Sequence, residues 1–165
     1  MAKTFKLQVV APDRPALTQD VNLVVLPGSV GEFGIMAQHM PFLSSLKSGI
    51  MRIVKGQERE LYFINGGYAQ VNHGSVIVLA EGFEKAEEID AERAQNSRKK
   101  AQEILSQKKD AAAMDQALAA LARADARLKV VEEAKSLKKQ VLESGKSLSS
   151  DRPHFLPLSS SGPCR

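Results

Sequence analysis

Cysteine and aromatic residues are scarce in this sequence. Its one cysteine, Cys164, can form neither an internal disulfide nor a zinc site, and we therefore expect a reducing, cytoplasmic setting. Aromatic residues make up 5% of the chain and tryptophan is missing, so a platform for stacking single-stranded nucleic acid is poorly supplied. The formal net charge of +4 permits an acidic partner but requires neither nucleic acid nor a membrane.

Long apolar runs and catalytic motifs are missing as well. No apolar run approaches the ~20 residues of a membrane-spanning helix, so we expect a soluble protein without direct membrane insertion. The opening segment MAKTFKLQVV enters a strand pattern at once and lacks the features of a secretory signal. Walker-type glycine loops, nucleophile motifs and metal-ligand spacings are not found. We therefore predict a protein that is not an enzyme, with no catalytic residue, no metal site and no required cofactor.

Short apolar segments separated by turn residues fill the first half of the chain. Phe5, Leu7 and Val9 alternate with polar residues, as in a half-buried strand, and we expect Pro12 and Pro15 to end that strand. Further strand patterns follow at residues 21–26, 49–55, 61–64, 68–71 and 76–79. Such spacing predicts an antiparallel sandwich or flattened barrel.

The stretch from Pro27 to Gly49 interrupts these strand patterns. It carries three glycines and two prolines in its first fifteen positions, which favour tight turns. It also carries more apolar side chains than an exposed loop normally does. We therefore predict a packed connection that lies across one end or face of the β domain and presents part of itself to a partner.

The second half of the chain has a different pattern. Residues 84–142 contain no proline or glycine and are rich in good helix formers. They predict two helices with a bend at Lys108-Lys109-Asp110, the first packing through a thin face of small residues. The second helix is predicted to carry its apolar stripe at Met114, Leu118, Leu121, Leu128 and Val131. Two such helices form an antiparallel hairpin.

Together these patterns predict an α+β fold, in which an N-terminal antiparallel β-sandwich is followed by a C-terminal antiparallel α-helical hairpin. We place the β-sandwich domain at residues 1–84 and the helical hairpin at residues 85–142. Residues 143–165 are rich in serine and proline and show no period, so we predict a disordered tail there.

A basic helical hairpin on a β domain is also compatible with a basic helical adaptor or a nucleic-acid-binding module. Lysine and arginine are, however, spread over both helices and interleaved with acidic residues, and the hairpin has no aromatic residue. This pattern favours no nucleic-acid binding. Sequence-selective binding to DNA would favour the alternative, whereas weak retention lost at moderate salt would indicate nonspecific charge.

The Gly-rich stretch contains Gly31-Glu32-Phe33-Gly34-Ile35, followed by His39, Pro41 and Leu43. This segment resembles the G-E-L-G-I-x-x-x-H-x-P-L segment of the ε subunit family of rotary F-type ATP synthases. The family's following strand, its G-G-F/Y turn and its V-T-V-L-A strand are similar to residues 49–53, 66–67 and 76–80. Ala37-Gln38 departs from the Pro-Gly pair that is common in the family.

The resemblance implies a non-catalytic subunit of the central stalk. Its sandwich would bind the γ subunit and sit on the ring of c subunits, and its hairpin would extend along γ into the catalytic head and oppose ATP hydrolysis. Gly31 and Glu32 match the part of the family's loop that meets the c-ring. We expect the γ contact at His39, Met40 and Phe42.

The segment Ile89-Asp90-Ala91-Glu92-Arg93-Ala94 resembles the I/L-D-x-x-R-A motif with which some bacterial ε subunits bind ATP as a regulatory ligand. The resemblance implies an ATP site between the helices. Its candidate residues are Ile89, Asp90, Arg93 and Ala94 on the first helix and Arg123 and Arg127 on the second. An ordinary surface ion pair between Asp90 and Arg93 is the alternative. Lys100 stands where strong binders carry an arginine, so weak binding or none is expected.

The second helix also carries a set of basic residues that the family uses elsewhere. The resemblance implies that they face an acidic segment of the catalytic β subunits when the hairpin is extended; a solvated basic face is the alternative. They are Arg123, Arg127, Lys129, Lys135, Lys138 and Lys139. The resemblance further implies a peripheral protein on the cytoplasmic side of the plasma membrane.

Overall fold

A computed structural model describes residues 3–107 and 110–146 of the chain. They form ten strands followed by two helices. The strands are β1 (Phe5–Ala11), β2 (Arg14–Val21), β3 (Leu23–Gly28), β4 (Gly31–Met36), β5 (Phe42–Leu46), β6 (Gly49–Lys55), β7 (Glu58–Ile64), β8 (Gly67–Asn72), β9 (Ser75–Ala80) and β10 (Phe83–Lys85). The helices are α1 (Ala91–Ser106) and α2 (Ala111–Lys146). The predicted α+β fold is confirmed.

The strands pair in the order β10-β7-β6-β3-β5-β8-β9-β1-β2, and β4 pairs with β3. Most of these pairs are antiparallel, but β1 and β9 run parallel, from Lys6 opposite Ser75 to Val10 opposite Leu79. Alternate residues point into one apolar core, as the period of two requires. The largest fully buried side chains of this core are Leu7, Leu26, Ile35, Met51, Ile53, Ile64, Val9, Val21, Val24, Val76 and Val78. Phe63 is also fully buried but lies outside this core, under the guanidinium of Arg127 on α2.

Four strands were not predicted from the sequence. Pro12 and Pro15 do not end the β structure, because β2 resumes at Arg14 and pairs antiparallel with β1. The stretch from Pro27 to Gly49 is not one packed connection but contains β4 and β5. Pro27 pairs with Glu32 across the β3–β4 hairpin, and Leu46 pairs with Gly28. The fourth is the short strand β10, which pairs with β7.

The close approach of β8 to β9 depends on a glycine. Gly67 has a φ of +123°, and a Cβ built there would lie 2.0 Å from the backbone oxygen of Leu79. A side chain cannot be accommodated at that distance from rigid backbone, so only glycine fits. Directly after this glycine, Tyr68 of β8 lies opposite Leu79 of β9, and both side chains are exposed on the outer face of the sheet.

The helices differ from the prediction in where they begin and how they pack. Helix α1 begins at Ala91 rather than near residue 84, because residues 83–85 pair as β10. The small residues bury as expected, with Ala94 and Ala101 on α1 and Ala117 and Ala124 on α2. The predicted apolar stripe on α2 is wrong at Leu118, which is 52% exposed. Lys108 and Lys109, where the bend was predicted, lie outside the described residues.

The chain divides into two compact units, residues 1–134 and residues 135–165. The first holds the strands, α1 and most of α2, and the second begins within α2. The predicted boundary at residue 84 falls inside β10, and that at residue 142 falls inside α2, which continues to Lys146. The domain boundaries stay predictions, and the predicted tail beyond residue 146 lies outside the described residues.

Candidate functional site

The beginning of α1 is built by Asp90, the acidic residue of the candidate nucleotide motif. Asp90 is the N-cap, and its Oδ1 accepts hydrogen bonds from the backbone nitrogens of Glu92 at 2.9 Å and Arg93 at 3.1 Å. An aspartate at this position satisfies donors that the first helical turn leaves unpaired. Both bonds end on Oδ1, so Oδ2 is the oxygen that can accept a bond from a ligand. Asp90 was predicted to lie inside a helix, which is wrong.

The neighbours of Asp90 divide between the core and the surface. Ile89 and Ala94 are buried, so they pack rather than present polar atoms. Arg93 is exposed on the first turn of α1. One turn further on, the Nε atom of Arg98 lies 2.9 Å from Oδ1 of Asp125 on α2. This ion pair joins the middle of α1 to a position in the first half of α2.

A groove of about 590 Å³ lies between α1 and α2. Its cations are Lys100 and Arg123, one from each helix, and its walls are largely alanine. The full lining is Ser97, Lys100, Ala101, Ile104, Ala113, Gln116, Ala117, Ala119, Ala120 and Arg123. Two cations that converge on one groove suit an anionic group such as a phosphate. Of the residues predicted to bind ATP, Arg123 lines this groove; Asp90, Arg93 and Arg127 lie outside its lining.

Arg127 contacts the sandwich instead. Its Nε and Nη2 lie 3.1 and 2.7 Å from Oε1 of Glu84, and its guanidinium stacks on the ring of Phe63. A guanidinium that stacks on an aromatic ring and pairs with a carboxylate uses both of its recognition modes at once. In this conformation Arg127 therefore holds α2 against β7 and β10.

A second contact between α2 and the sandwich is centred on Arg52 of β6. Its Nε and Nη2 donate to the two carboxylate oxygens of Glu133 on α2, and its Nη1 donates to Glu32 on β4 at 2.8 Å. The hydrogen bond to Glu133, opposed in part by burial and helped by Glu32, raises the pKa of the Arg52 guanidinium. Glu32, a predicted c-ring contact, thus has an internal partner as well.

The predicted c-ring contact lies at the tip of the β3–β4 hairpin. Gly31 has a φ of +151°, a region that favours glycine, and it follows the fully exposed Val30. The Glu32 side chain is 52% exposed, so its carboxylate is accessible from outside although it accepts a bond from Arg52. Gly31 and Glu32 therefore both lie at the surface, as a contact residue must.

The segment before α1 is joined to β2 by Arg14 and Glu88, which form an ion pair. The hydrogen bond from Arg14 lowers the pKa of the Glu88 carboxyl, and the same bond raises the pKa of the Arg14 guanidinium. Deeper in the sandwich, the hydroxyl of Tyr62 donates to Oε2 of Glu60 at 3.0 Å. Burial, followed by the negative charge of Glu60, raises the pKa of Tyr62.

The three candidate γ contacts differ in exposure. Met40 is 78% exposed, and His39 is exposed with its Nδ1 3.0 Å from the backbone oxygen of Met40. Phe42, in contrast, is half-buried, packs against the core and meets the ring of Phe33 edge-on at 5.4 Å between centroids. Met40 and His39 are thus available to a partner as they stand, whereas Phe42 also serves the core.

An exposed apolar face adjoins this segment and was not identified as a unit from the sequence. Tyr68 and Leu79 lie opposite each other on β8 and β9, and Leu43 on β5 is the diagonal neighbour of Tyr68. All three are more than half exposed. The signal that could have revealed this face is the period of two in β5: if Phe42, Ser44 and Leu46 point inward, then Leu43 and Ser45 point outward, and Leu43 is an apolar side chain on the exposed face.

Comparison with known proteins agrees with this architecture. The family model described as ATP synthase, Delta/Epsilon chain, beta-sandwich domain matches residues 4–86. The model described as ATP synthase, Delta/Epsilon chain, long alpha-helix domain matches residues 87–132. A β-sandwich followed by two helices therefore defines a chain of the delta/epsilon class.

Individual relatives narrow the class. The ATP synthase epsilon chain of Syntrophobacter fumaroxidans is 46% identical over 132 residues, which cover 80% of this chain and 98% of that one. That of Nitratidesulfovibrio vulgaris is 40% identical over 130 residues, 79% of this chain and 97% of that one. The chain belongs to the bacterial F-type ATP synthase epsilon chain family, whose members are non-catalytic subunits of the complex.

Solved structures share the fold. A chain in the cryo-EM structure of Euglena gracilis mitochondrial ATP synthase, OSCP/F1/c-ring in rotational state 1, matches with a TM-score of 0.68 and 27% identity, covering 80% of this chain and 81% of that one. A chain of the Tetrahymena thermophila mitochondrial ATP synthase central stalk and c-ring matches with a TM-score of 0.53 and 11% identity, covering 76% and 95%. Among the described residues, no helix combines the length and the apolar content that a membrane crossing requires.

Proposed function

We propose that this chain is the central-stalk subunit that joins γ to the c-ring, and that its helical hairpin opposes ATP hydrolysis when it leaves the sandwich. The observation that carries the first part is the exposed apolar face formed by Leu43, Tyr68 and Leu79, together with the exposed Met40, which precedes β5 in the chain. A face of this kind on a small sandwich suits a permanent partner. We assign it to γ, and we assign the β3–β4 tip with Gly31 and Glu32 to the c-ring.

The second part is supported by the way in which α2 is held. Its polar contacts with the sandwich include the Arg127 cluster with Glu84 and Phe63 and the Arg52–Glu133 pair. Partly exposed ion pairs and cation–π contacts contribute roughly 0.5–1 kcal/mol each. Polar contacts of this size do not by themselves prevent release of the helix. Release would free Arg127, with the other basic residues of α2, to face acidic segments of the catalytic β subunits.

ATP is proposed as the ligand that stabilises the folded hairpin. Lys100 and Arg123 in the interhelical groove suit its phosphates, and Oδ2 of Asp90 suits the amino group of its base. Ile89, Arg93 and Ala94 stay predicted contacts, and Arg127 can contribute only if it leaves Glu84. A ligand that binds one state shifts the population by RT ln(1 + [ATP]/Kd), so the effect depends on the dissociation constant.

The proposal is tested by removing the helices. A cut after Glu88 keeps β10, the hydrogen bond from the Ala86 nitrogen to the Leu61 oxygen and the Arg14–Glu88 pair, whereas a cut after Glu84 removes Lys85 from β10 and eliminates the other two contacts. The chain cut after Glu88 should fold, assemble into the synthase on the cytoplasmic side of the membrane, and raise ATP hydrolysis. Assembly with unchanged hydrolysis would reject the inhibitory role, and failure of the folded sandwich to bind γ would reject the stalk role.

A further inference from the structure

Arg52 is shared between two carboxylates that belong to different parts of the protein. Glu133 receives two hydrogen bonds from its Nε and Nη2, and Glu32 receives one from its Nη1. One guanidinium therefore serves a helix of the hairpin and the tip of a sandwich hairpin at the same time. The side chains are 29% exposed for Arg52, 32% for Glu133 and 52% for Glu32, so the pair with Glu133 is the better shielded of the two.

We propose that Arg52 couples Glu32 to the docking of α2. When a cationic group of a partner pairs with Glu32, the ion pair between Arg52 and Glu133 becomes stronger, and α2 binds the sandwich more tightly. The inference rests on the proposed function only in taking the surface at Glu32 as partner-facing. The coupling itself belongs to this chain and follows from the three charges at Arg52.

The sign of the coupling follows from electrostatics. Glu133 is attracted by Arg52 but repelled by Glu32, which competes for the same guanidinium. A partner cation that draws Glu32 away or neutralises it removes the repulsion and leaves Arg52 to one carboxylate. Docking of α2 then becomes stronger. By reciprocity, docking of α2 also favours pairing of Glu32 with the partner, because Glu133 then occupies Arg52 and Glu32 loses part of its attraction to it.

Coupling of this kind links binding of a partner at Glu32 to the position of the hairpin. A sandwich seated on a cationic partner surface retains its hairpin more firmly than a sandwich whose Glu32 remains with Arg52. The mode of contact at the tip of the β3–β4 hairpin thus biases the position of a helix that begins elsewhere in the chain. The partner chemistry is a lysine or arginine side chain, because a neutral or acidic surface would leave the competition unchanged.

Hydrogen exchange of the full-length chain tests the coupling without a partner. Exchange of backbone amides at residues 123–134 is measured in the unmodified protein and in the variants Glu32→Gln, Arg52→Gln, Glu133→Gln and Glu32→Gln/Glu133→Gln. We expect the opening constant of this segment to rise in Arg52→Gln and in Glu133→Gln, and to fall roughly two- to fivefold in Glu32→Gln. In the double variant the Glu32 change should have no further effect.

Two results would overturn the coupling. A rise in exchange for Glu32→Gln equal to that for Arg52→Gln would mean that Glu32 only holds Arg52 in place. An effect of Glu32→Gln that is unchanged in the Glu133→Gln background would mean that Glu133 is not involved. Glu58→Gln, which neutralises another exposed carboxylate of the sandwich, is the matched control and should leave exchange of the segment unchanged.

A separate measurement tests the partner assignment. Proton pumping driven by ATP is compared in membranes whose synthase carries either the unmodified chain or Glu32→Gln. Weakened pumping supports a ring contact at Glu32. Unchanged pumping overturns that contact alone, because the exchange result is obtained without the ring.

Discussion

The guanidinium carbon of Arg127 lies 4.3 Å from the centre of the Phe63 ring, and Nη2 of the same residue lies 2.7 Å from Oε1 of Glu84. Phe63 and Glu84 face each other across the β7–β10 ladder. Two neighbouring strands thus supply an aromatic face and a carboxylate to one side chain of α2. The last, short strand of the sandwich consequently has a specific role, which is to hold the hairpin.

Removal of this contact should loosen α2. Arg127→Gln is expected to lower the free energy of unfolding by about 1–2 kcal/mol and to increase amide exchange around residue 127, since the stacking and the ion pair are both lost. Arg127→Lys keeps the charge but not the planar group, so an intermediate effect is expected. Arg123→Gln is the matched control one turn earlier. Equal effects of Arg123→Gln and Arg127→Gln would show that the sandwich contact contributes nothing specific.

Binding of γ should depend on the exposed apolar residues rather than on Phe42. Met40→Asp and Leu43→Asp are expected to weaken γ binding by tenfold or more with little change in folding, because each places a charge where apolar surface is to be buried. Phe42→Asp should instead lower the stability of the isolated chain, because Phe42 packs against Phe33 and the core.

The measurement is γ binding by titration calorimetry, with unfolding followed separately. Val30→Asp, at a fully exposed position of the β3–β4 turn, is the control and should leave γ binding unchanged. Tight γ binding by both Met40→Asp and Leu43→Asp would remove this face from the interface.

The capping role of Asp90 and its proposed role in ATP binding can be separated by substitution. Asp90→Ala removes the cap and should lower helix stability by about 0.5–2 kcal/mol, whereas Asp90→Ser keeps a capping oxygen. If Oδ2 accepts from the base of ATP, Asp90→Ser should lose ATP affinity about tenfold while α1 stays intact. Arg123→Ala should lose affinity through the phosphates.

Titration of the full chain with ATP, with helix content followed by circular dichroism, checks this expectation. Unchanged ATP affinity in Asp90→Ser, combined with loss of affinity in Arg123→Ala, would mean that ATP binds in the groove between α1 and α2 without contacting Asp90. Absence of binding at several millimolar in the unmodified chain would leave Asp90 as a helix cap alone.

Tyr62 should make the sandwich sensitive to alkali. Burial raises its pKa above the ordinary value of 10.0, so the unfolded chain loses the phenol proton first as the pH increases. The contribution of Tyr62 to stability is therefore fully present below about pH 10 and is lost as the pH rises beyond it. Urea unfolding between about pH 9 and about pH 11 should show a drop in the unmodified chain that is smaller in Tyr62→Phe. Tyr68→Phe, at an exposed position, should retain the drop.

The sequence predicted the class of fold because the periods of the apolar residues differ sharply between the two halves. Residues 49–55 form β6 as predicted, and the small residues of the helices are buried. The missed strand β2 has a physical reason. Pro15 cannot donate to a ladder, but β2 is an edge strand, where a proline is tolerated.

The glycines and prolines between Pro27 and Gly49 concealed β4 and β5 for a related reason. Their frequency is typical of a loop, yet Gly28 and Gly31 stand opposite each other at a hairpin end, where turn residues belong. The contacts that hold α2 were not predictable from a single sequence. Arg127 with Glu84, and Arg52 with Glu133, are far apart along the chain and meet only because the strands and helices are already arranged.

The parallel pairing of β1 with β9 has a consequence for the order in which the protein can fold. Residues 6–10 of β1 pair with β2 early in the chain, but their hydrogen bonds to β9 form only after residues 75–79 have been brought alongside. A long loop must therefore close before the sheet is complete. Non-local pairing of this kind slows folding. During synthesis, a nascent chain that ends before β9 leaves β1 and β8 each with an unpaired edge, which can recruit a strand from another molecule. The arrival of residues 75–80 is thus the step that covers both of these edges and joins the two parts of the sheet.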